Sequence, residues 1–118
     1  MMSIKNSFEP VPKITSQLCS LGVEIWRLKK KLQKINEKLN QADANSINFT
    51  LDKVSRLLRQ ADIEIIDLTN QKYIDGLNVD ILSYSEGPET KNTIIETVEP
   101  TIKYKNSVIK RAKIIVSR

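Results

Sequence analysis

Residues 14–39, ITSQLCSLGVEIWRLKKKLQKINEKL, carry an unbroken heptad repeat. Aliphatic residues recur there at alternating spacings of four and three, which is the a/d pattern of a coiled coil. The a positions are Leu18, Ile25, Leu32 and Leu39, and the d positions are Ile14, Leu21, Leu28 and Ile35. These eight residues are predicted to form a dimerisation seam.

The alternative is one amphipathic helix packed on a globular core, which usually has a wider apolar stripe. Polar residues at most of the flanking e and g positions favour association between helices instead. In a parallel pair, Glu24 would face the partner's Lys29, and Lys38 would face the partner's Asp43. We therefore predict a parallel homodimer of helices spanning residues 13–44, each roughly 48 Å long, preceded by a flexible leader over residues 1–12.

Cys19, Val23 and Trp26 lie on a second face of this helix. A large exposed aromatic side chain often marks a contact, so Trp26 is predicted to pack against residues 8–11 or, alternatively, against a partner.

A shorter helix and a set of strands are predicted to follow. Thr50 can cap a helix of about three turns that folds back on the first, and two such hairpins would make a four-helix bundle in the dimer. The helical stalk would thus cover residues 13–61. From residue 62 to 118 the pattern changes to short β-branched runs with polar turns. The fold class is therefore predicted to be α+β, with a small antiparallel β domain that has Lys105-Asn106 as a tight turn and Pro100 at an edge or corner.

The residue types present argue against catalysis. The chain has no histidine and one cysteine, Cys19, which removes His-based zinc sites and Ser-His or Cys-His nucleophiles. No glycine-rich phosphate loop or nucleophile motif occurs. We expect a non-enzymatic protein that needs no metal and no cofactor.

Basic residues are concentrated in the helical half. Residues 1–60 hold eleven Lys/Arg and five Asp/Glu, whereas residues 61–118 hold eight and nine. A basic helix can bind nucleic acid, but stacking aromatics and a reader motif are missing, so a solvated coiled-coil surface is the preferred interpretation. With neither a signal peptide nor a run of membrane-spanning length, the protein is expected to be soluble and cytoplasmic, without a membrane partner.

The predicted β domain resembles the GrpE family of Hsp70 nucleotide exchange factors in three segments. Residues 92–96, NTIIE, resemble the family's N-T-V-V-E. Residues 103–117, KYKNSVIKRAKIIVS, resemble its terminal hairpin, Y-x-L-x-x-R-[VT]-[IL]-R-P-A-x-V-x-V. Residues 68–73 with 77–78 are similar to its G-x-x-F-D-P-x-x-H turn. The segments occur in the family's order, after helices that match its stalk.

The resemblance implies a co-chaperone whose β domain docks on the ATPase domain of an Hsp70-like protein and promotes ADP release. It implies a chaperone-binding surface near Val98, Pro100, Ser107, Lys110 and Val116. This chain departs from the family at several positions, notably Asn78 in place of a histidine and Ser107 in place of an arginine. Two other functions stay open: a coiled-coil adaptor that has the fold without exchange activity, and a nucleic-acid-binding coiled coil.

Overall fold

The structure is a computed structural model that describes residues 13–118. A helical hairpin forms its first half. Helix α1 spans Lys13–Ile35, one 3₁₀ turn covers Asn36–Lys38, and helix α2 spans Gln41–Gln60. The predicted leader, residues 1–12, lies outside the described residues. Neither helix has an apolar stretch of the length needed to cross a bilayer.

The break between the helices corrects two predictions. The first helix ends at Ile35 rather than at residue 44, and the second is capped by Asn40 rather than by Thr50. The Asn40 side chain accepts a hydrogen bond of 2.8 Å from the backbone N–H of Asp43, which satisfies one of the free donors at a helix start. Thr50 instead lies inside α2 and donates to the carbonyl of Ser46.

Six short strands follow the helices, within residues 62–118, where the sequence pattern predicts strands. They are β1 (Ile63–Ile66), β2 (Val79–Ser85), β3 (Ile94–Glu99), β4 (Thr101–Tyr104), β5 (Ser107–Lys110) and β6 (Ala112–Ser117). The α+β fold class, with a long first helix and a small β unit after the helices, is thereby confirmed.

The strands form two three-stranded sheets, in the orders β1-β4-β5 and β2-β6-β3. The first sheet is antiparallel throughout. In the second, β6 pairs antiparallel with β3 but parallel with β2. The expectation of a purely antiparallel β domain is therefore wrong for this one pair, because the chain crosses to the first sheet and back before β6 joins β2.

Two turns set this path, and both agree with the prediction. Pro100 lies between β3 of the second sheet and β4 of the first, with its side chain fully buried. Proline has no N–H to offer a strand ladder, so it suits the point where the chain leaves one sheet for the other. Lys105 and Asn106 have φ angles of 48° and 67°, as a tight two-residue hairpin requires.

Two hydrophobic clusters hold the elements together. One lies in the second sheet and includes the buried Ile94, Ile114 and Val116. The other joins both helices to the first sheet through Val23 of α1, Leu58 of α2, Ile63 of β1 and Ile102 of β4. The predicted division between stalk and β domain at residues 61–62 stays a prediction, but this second cluster crosses it.

The first sheet packs closely on α1 at Gly22. A Cβ built at Gly22 would lie 3.4 Å from Cδ1 of Ile65 and 3.8 Å from Cδ1 of Ile102. A Cβ would therefore be in ordinary van der Waals contact with the sheet, and a side chain that extends beyond Cβ would meet Ile65 and Ile102.

Candidate interaction surfaces

The predicted chaperone-binding residues divide into an accessible group and a buried group. Ser107 is exposed, and Lys110 and Val98 are half-buried. Pro100 and Val116 are almost completely buried. The last two cannot offer appreciable surface to a partner in this arrangement, although they shape the β unit that carries the other three.

Ser107 and Lys110 lie at the two ends of β5, the edge strand of the first sheet. Val98 lies on β3, an edge strand of the second sheet. The accessible residues therefore sit on edge strands of two different sheets, on either side of the Pro100 crossover.

Lys110 is also part of an ionic cluster around Glu99, next to Val98. The Glu99 carboxylate lies 2.8 Å from Nη2 of Arg27, 2.7 Å from Nζ of Lys110 and 3.6 Å from Nζ of Lys113. The hydrogen bond from Lys110 lowers the pKa of Glu99, and this outweighs the opposing effect of burial. The cluster ties α1 to the β unit and holds the Lys110 side chain in place.

Trp26 forms the second tie between α1 and the β unit. Its Nε1 donates to Oδ2 of Asp67 at 3.0 Å, and its side chain is only 9% exposed. The segment after β1 covers Trp26, which leaves little of its side chain accessible for the predicted alternative of a partner contact. Packing against residues 8–11 lies outside the described residues.

The Asp67 carboxylate interacts with two further donors besides Trp26. Nζ of Lys30 lies 2.7 Å from Oδ2, and the N–H of Thr69 donates to Oδ1 at 2.9 Å. Burial raises the pKa of Asp67, but the hydrogen bonds from Lys30, Thr69 and Trp26 outweigh it and hold the pKa well below its ordinary value. The ionised carboxylate is thus part of the folded state.

This lowered pKa predicts a specific loss of stability in acid. The unfolded state binds a proton at Asp67 near pH 3.9, above the folded pKa, so the stabilisation is complete above about pH 5 and is lost as pH falls further. Between pH 5 and pH 2 the free energy of unfolding should fall more steeply for the wild type than for Asp67→Asn. Urea titrations followed by circular dichroism would measure both slopes.

The matched control is Asp75→Asn, since Asp75 is exposed and its replacement should leave the wild-type slope unchanged. Equal slopes for Asp67→Asn and the wild type would contradict the assignment.

Trp26 and Lys30 separate two clefts. The first, of about 280 Å³, lies between α1, α2 and β1 and is lined by Ile25, Lys29, Arg59 and Ile63 among others. The second, of about 440 Å³, lies between α1 and β3. We call this second cleft the α1–β3 groove, lined by Trp26, Arg27, Lys30, Lys31, Lys34, Thr69, Ile95, Glu96, Thr97 and Val98.

The eight predicted dimerisation residues divide by heptad position. At the a positions, Leu32 is buried, Leu18 and Ile25 pack against the cluster that joins helices and sheet, and Leu39 is half-buried. At the d positions, exposure ranges from 46% to 66%. We call this outward row the d stripe, and it consists of Ile14, Leu21, Leu28 and Ile35.

The sheet explains this division. The buried face of α1 also includes Thr15 and Gly22, two e positions that appear polar or small in the heptad pattern. Because β1 and β4 pack there, the a positions turn inward toward the chain's own core. The signal for this close contact was the pair of small residues Thr15 and Gly22, seven positions apart. In the heptad pattern these two residues count only as part of the polar border of the seam.

Three of the four side chains predicted to pair across the dimer have partners within the chain. Glu24 lies 2.8 Å from Arg27 in the same helix, and Nζ of Lys29 lies 3.5 Å from Asp52 of α2. The Asp43 carboxylate accepts a hydrogen bond of 2.8 Å from the side-chain amide of Asn40. Pairing between two copies at these positions stays a prediction.

Two features of residues 13–118 bear on metal binding and thiol chemistry. Three or more Cys, Asp or Glu side chains do not converge anywhere in that range as they would around a metal ion. Cys19 is half-buried, and burial raises its pKa despite the nearby Lys110, which disfavours the reactive thiolate. The fold presents several candidate interaction surfaces: the edge strands β3 and β5, the α1–β3 groove and the d stripe. Comparison of the chain with models of protein families and with curated proteins finds no match.

Proposed function

We propose that this chain is a nucleotide exchange factor that binds the ATPase domain of an Hsp70-like protein and promotes ADP release in the cytoplasm. One observation carries the proposal: the three segments that resemble the GrpE family are separated in sequence but touch one another in the fold. The N–H of Tyr73 donates to the carbonyl of Asn92 at 2.7 Å, and the N–H of Asn92 donates to the carbonyl of Ser117 at 2.9 Å. Because the three segments are hydrogen-bonded to one another in the same β unit, their combined resemblance to the family supports the proposal more strongly than each segment alone.

Such a factor acts by binding and needs no reactive group. It must bind the open nucleotide cleft of the ATPase more tightly than the closed one, and it shifts the equilibrium only by that difference in affinity. By reciprocity, bound nucleotide weakens the factor's own affinity. Among the residues implied by the resemblance, Ser107, Lys110 and Val98 are accessible for this contact.

The proposed active form is a homodimer joined through the d stripe. A monomeric protein does not normally expose a row of four large aliphatic side chains to water. Their seven-residue spacing matches the repeat of a second, similar helix.

Release of a fluorescent ADP from an Hsp70-like ATPase, measured by stopped flow, tests exchange directly. We expect the protein to accelerate release by about tenfold or more, which corresponds to a release barrier lowered by about 1.4 kcal/mol. Ser107→Glu should remove most of the acceleration, because it places a charge at an exposed position on β5 without disturbing the core. Ser83→Glu makes the same change at an exposed position of β2 and should retain it.

The adaptor is the second candidate, and the d stripe favours it as much as it favours exchange. Failure to accelerate release from several Hsp70-like ATPases, with the dimer verified, would replace the first proposal with this one. Nucleic-acid binding with a steep salt dependence would instead favour the third function, a nucleic-acid-binding coiled coil.

A further inference from the structure

The α1–β3 groove combines a basic wall with an aliphatic floor. The wall is the stretch of α1 from Arg27 to Lys34, and the floor is formed by Ile95 and Val98 of β3. Both floor residues are half-buried, so part of their apolar surface faces the groove. The groove is open to solvent and has a volume of about 440 Å³.

The charges on the wall are not all neutralised. Arg27 is paired with Glu24 and Glu99, and Lys30 is paired with Asp67. Within residues 13–118, Lys31 and Lys34 have no carboxylate at ion-pair distance, and both are exposed. They are three positions apart on the helix and therefore face the same way.

Only one acidic side chain, Glu96, lines the groove among the residues described. With Arg27 and Lys30 already paired, Lys31 and Lys34 leave an excess of positive charge. The groove therefore attracts a negatively charged group, and an adjacent apolar floor favours a ligand that also carries aliphatic side chains.

The positive charge of the wall and the aliphatic floor together favour a polypeptide ligand over a nucleic acid. Sequence-tolerant binding of single strands depends on aromatic rings that stack on bases. Among residues 13–118, the one aromatic side chain that lines the groove is Trp26, which is nearly buried, and Nζ of Lys30 lies 5.5 Å from its ring centroid. The floor that remains accessible is aliphatic.

We propose that the α1–β3 groove binds an acidic polypeptide segment, with two carboxylates paired to Lys31 and Lys34 and an aliphatic side chain against Ile95 and Val98. The proposal rests on the groove alone and does not require exchange activity. Val98 belongs both to this floor and to the surface implied by the family resemblance. An acidic segment of any partner could therefore engage the β unit beside its proposed docking site.

Fluorescence anisotropy with a fluorescein-labelled octapeptide that alternates glutamate with isoleucine or valine tests this inference. We expect saturable binding that weakens with added salt. A peptide with serine at the aliphatic positions should bind less tightly. Trp26 is the only tryptophan of the chain and lines the groove, so its emission should change with the same dissociation constant.

The double variant Lys31→Glu/Lys34→Glu should weaken binding by about tenfold or more, since it replaces attraction with repulsion. Lys53→Glu/Arg56→Glu makes the same net change at exposed positions of α2 and should weaken binding about threefold at most, through the net charge alone.

Three outcomes would overturn the inference. One is that the octapeptide does not bind. Another is that the two double variants weaken binding equally. The third is that an oligothymidylate of matched charge binds more tightly than the peptide and loses affinity in the groove variant.

Discussion

Replacing Leu21 and Leu28 with aspartate should convert the proposed homodimer into a folded monomer. Both side chains are about half exposed in the single chain, at 47% and 50%, so a charge there costs the monomer little. In the dimer, burying the remaining half of four leucine side chains is worth about 3–6 kcal/mol. The dissociation constant should therefore rise by about a hundredfold or more.

Sedimentation equilibrium would measure this change against a wild-type dimer of twice 13.5 kDa. The control is Ile74→Asp/Leu82→Asp, which alters two exposed aliphatic residues of the β unit and should leave the dimer intact. A monomeric wild type, or a Leu21→Asp/Leu28→Asp variant that still dimerises, would rule out the d stripe as the interface.

Ile102→Ala should be among the most destabilising single substitutions in the molecule. Ile102 is completely buried at the centre of the cluster that joins the helices to the first sheet. Removing its side chain beyond Cβ should lower the free energy of unfolding by about 2–5 kcal/mol. Leu82→Ala, at a half-exposed position of β2, should change it by about 0.5 kcal/mol at most.

The same experiment tests whether stalk and β domain unfold together. In urea, circular dichroism reports mainly the helices, and Trp26 fluorescence reports the contact between α1 and the segment after β1. Coincident transitions, both shifted by Ile102→Ala, are expected because the cluster spans the two parts. Two separate transitions would support independent domains at the predicted boundary.

Most of the fold class could be predicted from local sequence, because strand runs and turn residues act over a few positions. The change to strands after residue 61 and the turns at Pro100 and Lys105-Asn106 followed from this local chemistry. The end of α1 at Ile35 could not be predicted in this way, because the heptad repeat continues through Ile35 to Leu39. The capping signal, Asn40 with Asp43 three residues later, was present and was outweighed by the longer pattern.

Contacts between distant segments could not be predicted in the same way. The hydrogen bond from Trp26 to Asp67 and the ion pair from Arg27 to Glu99 depend on how the sheets dock on α1. No periodicity connects these positions. The same applies to the burial of Val116, which the family resemblance placed on the binding surface and the structure places in the core of the second sheet.

The parallel pairing of β2 with β6 has a consequence for how the chain folds. β6 is the central strand of its sheet, yet it follows all the other strands in chain order. Until it docks, β2 and β3 each lack a neighbour and present unpaired backbone edges. Such edges are sites of intermolecular strand pairing, so a chain in which β6 has not yet docked is exposed to aggregation.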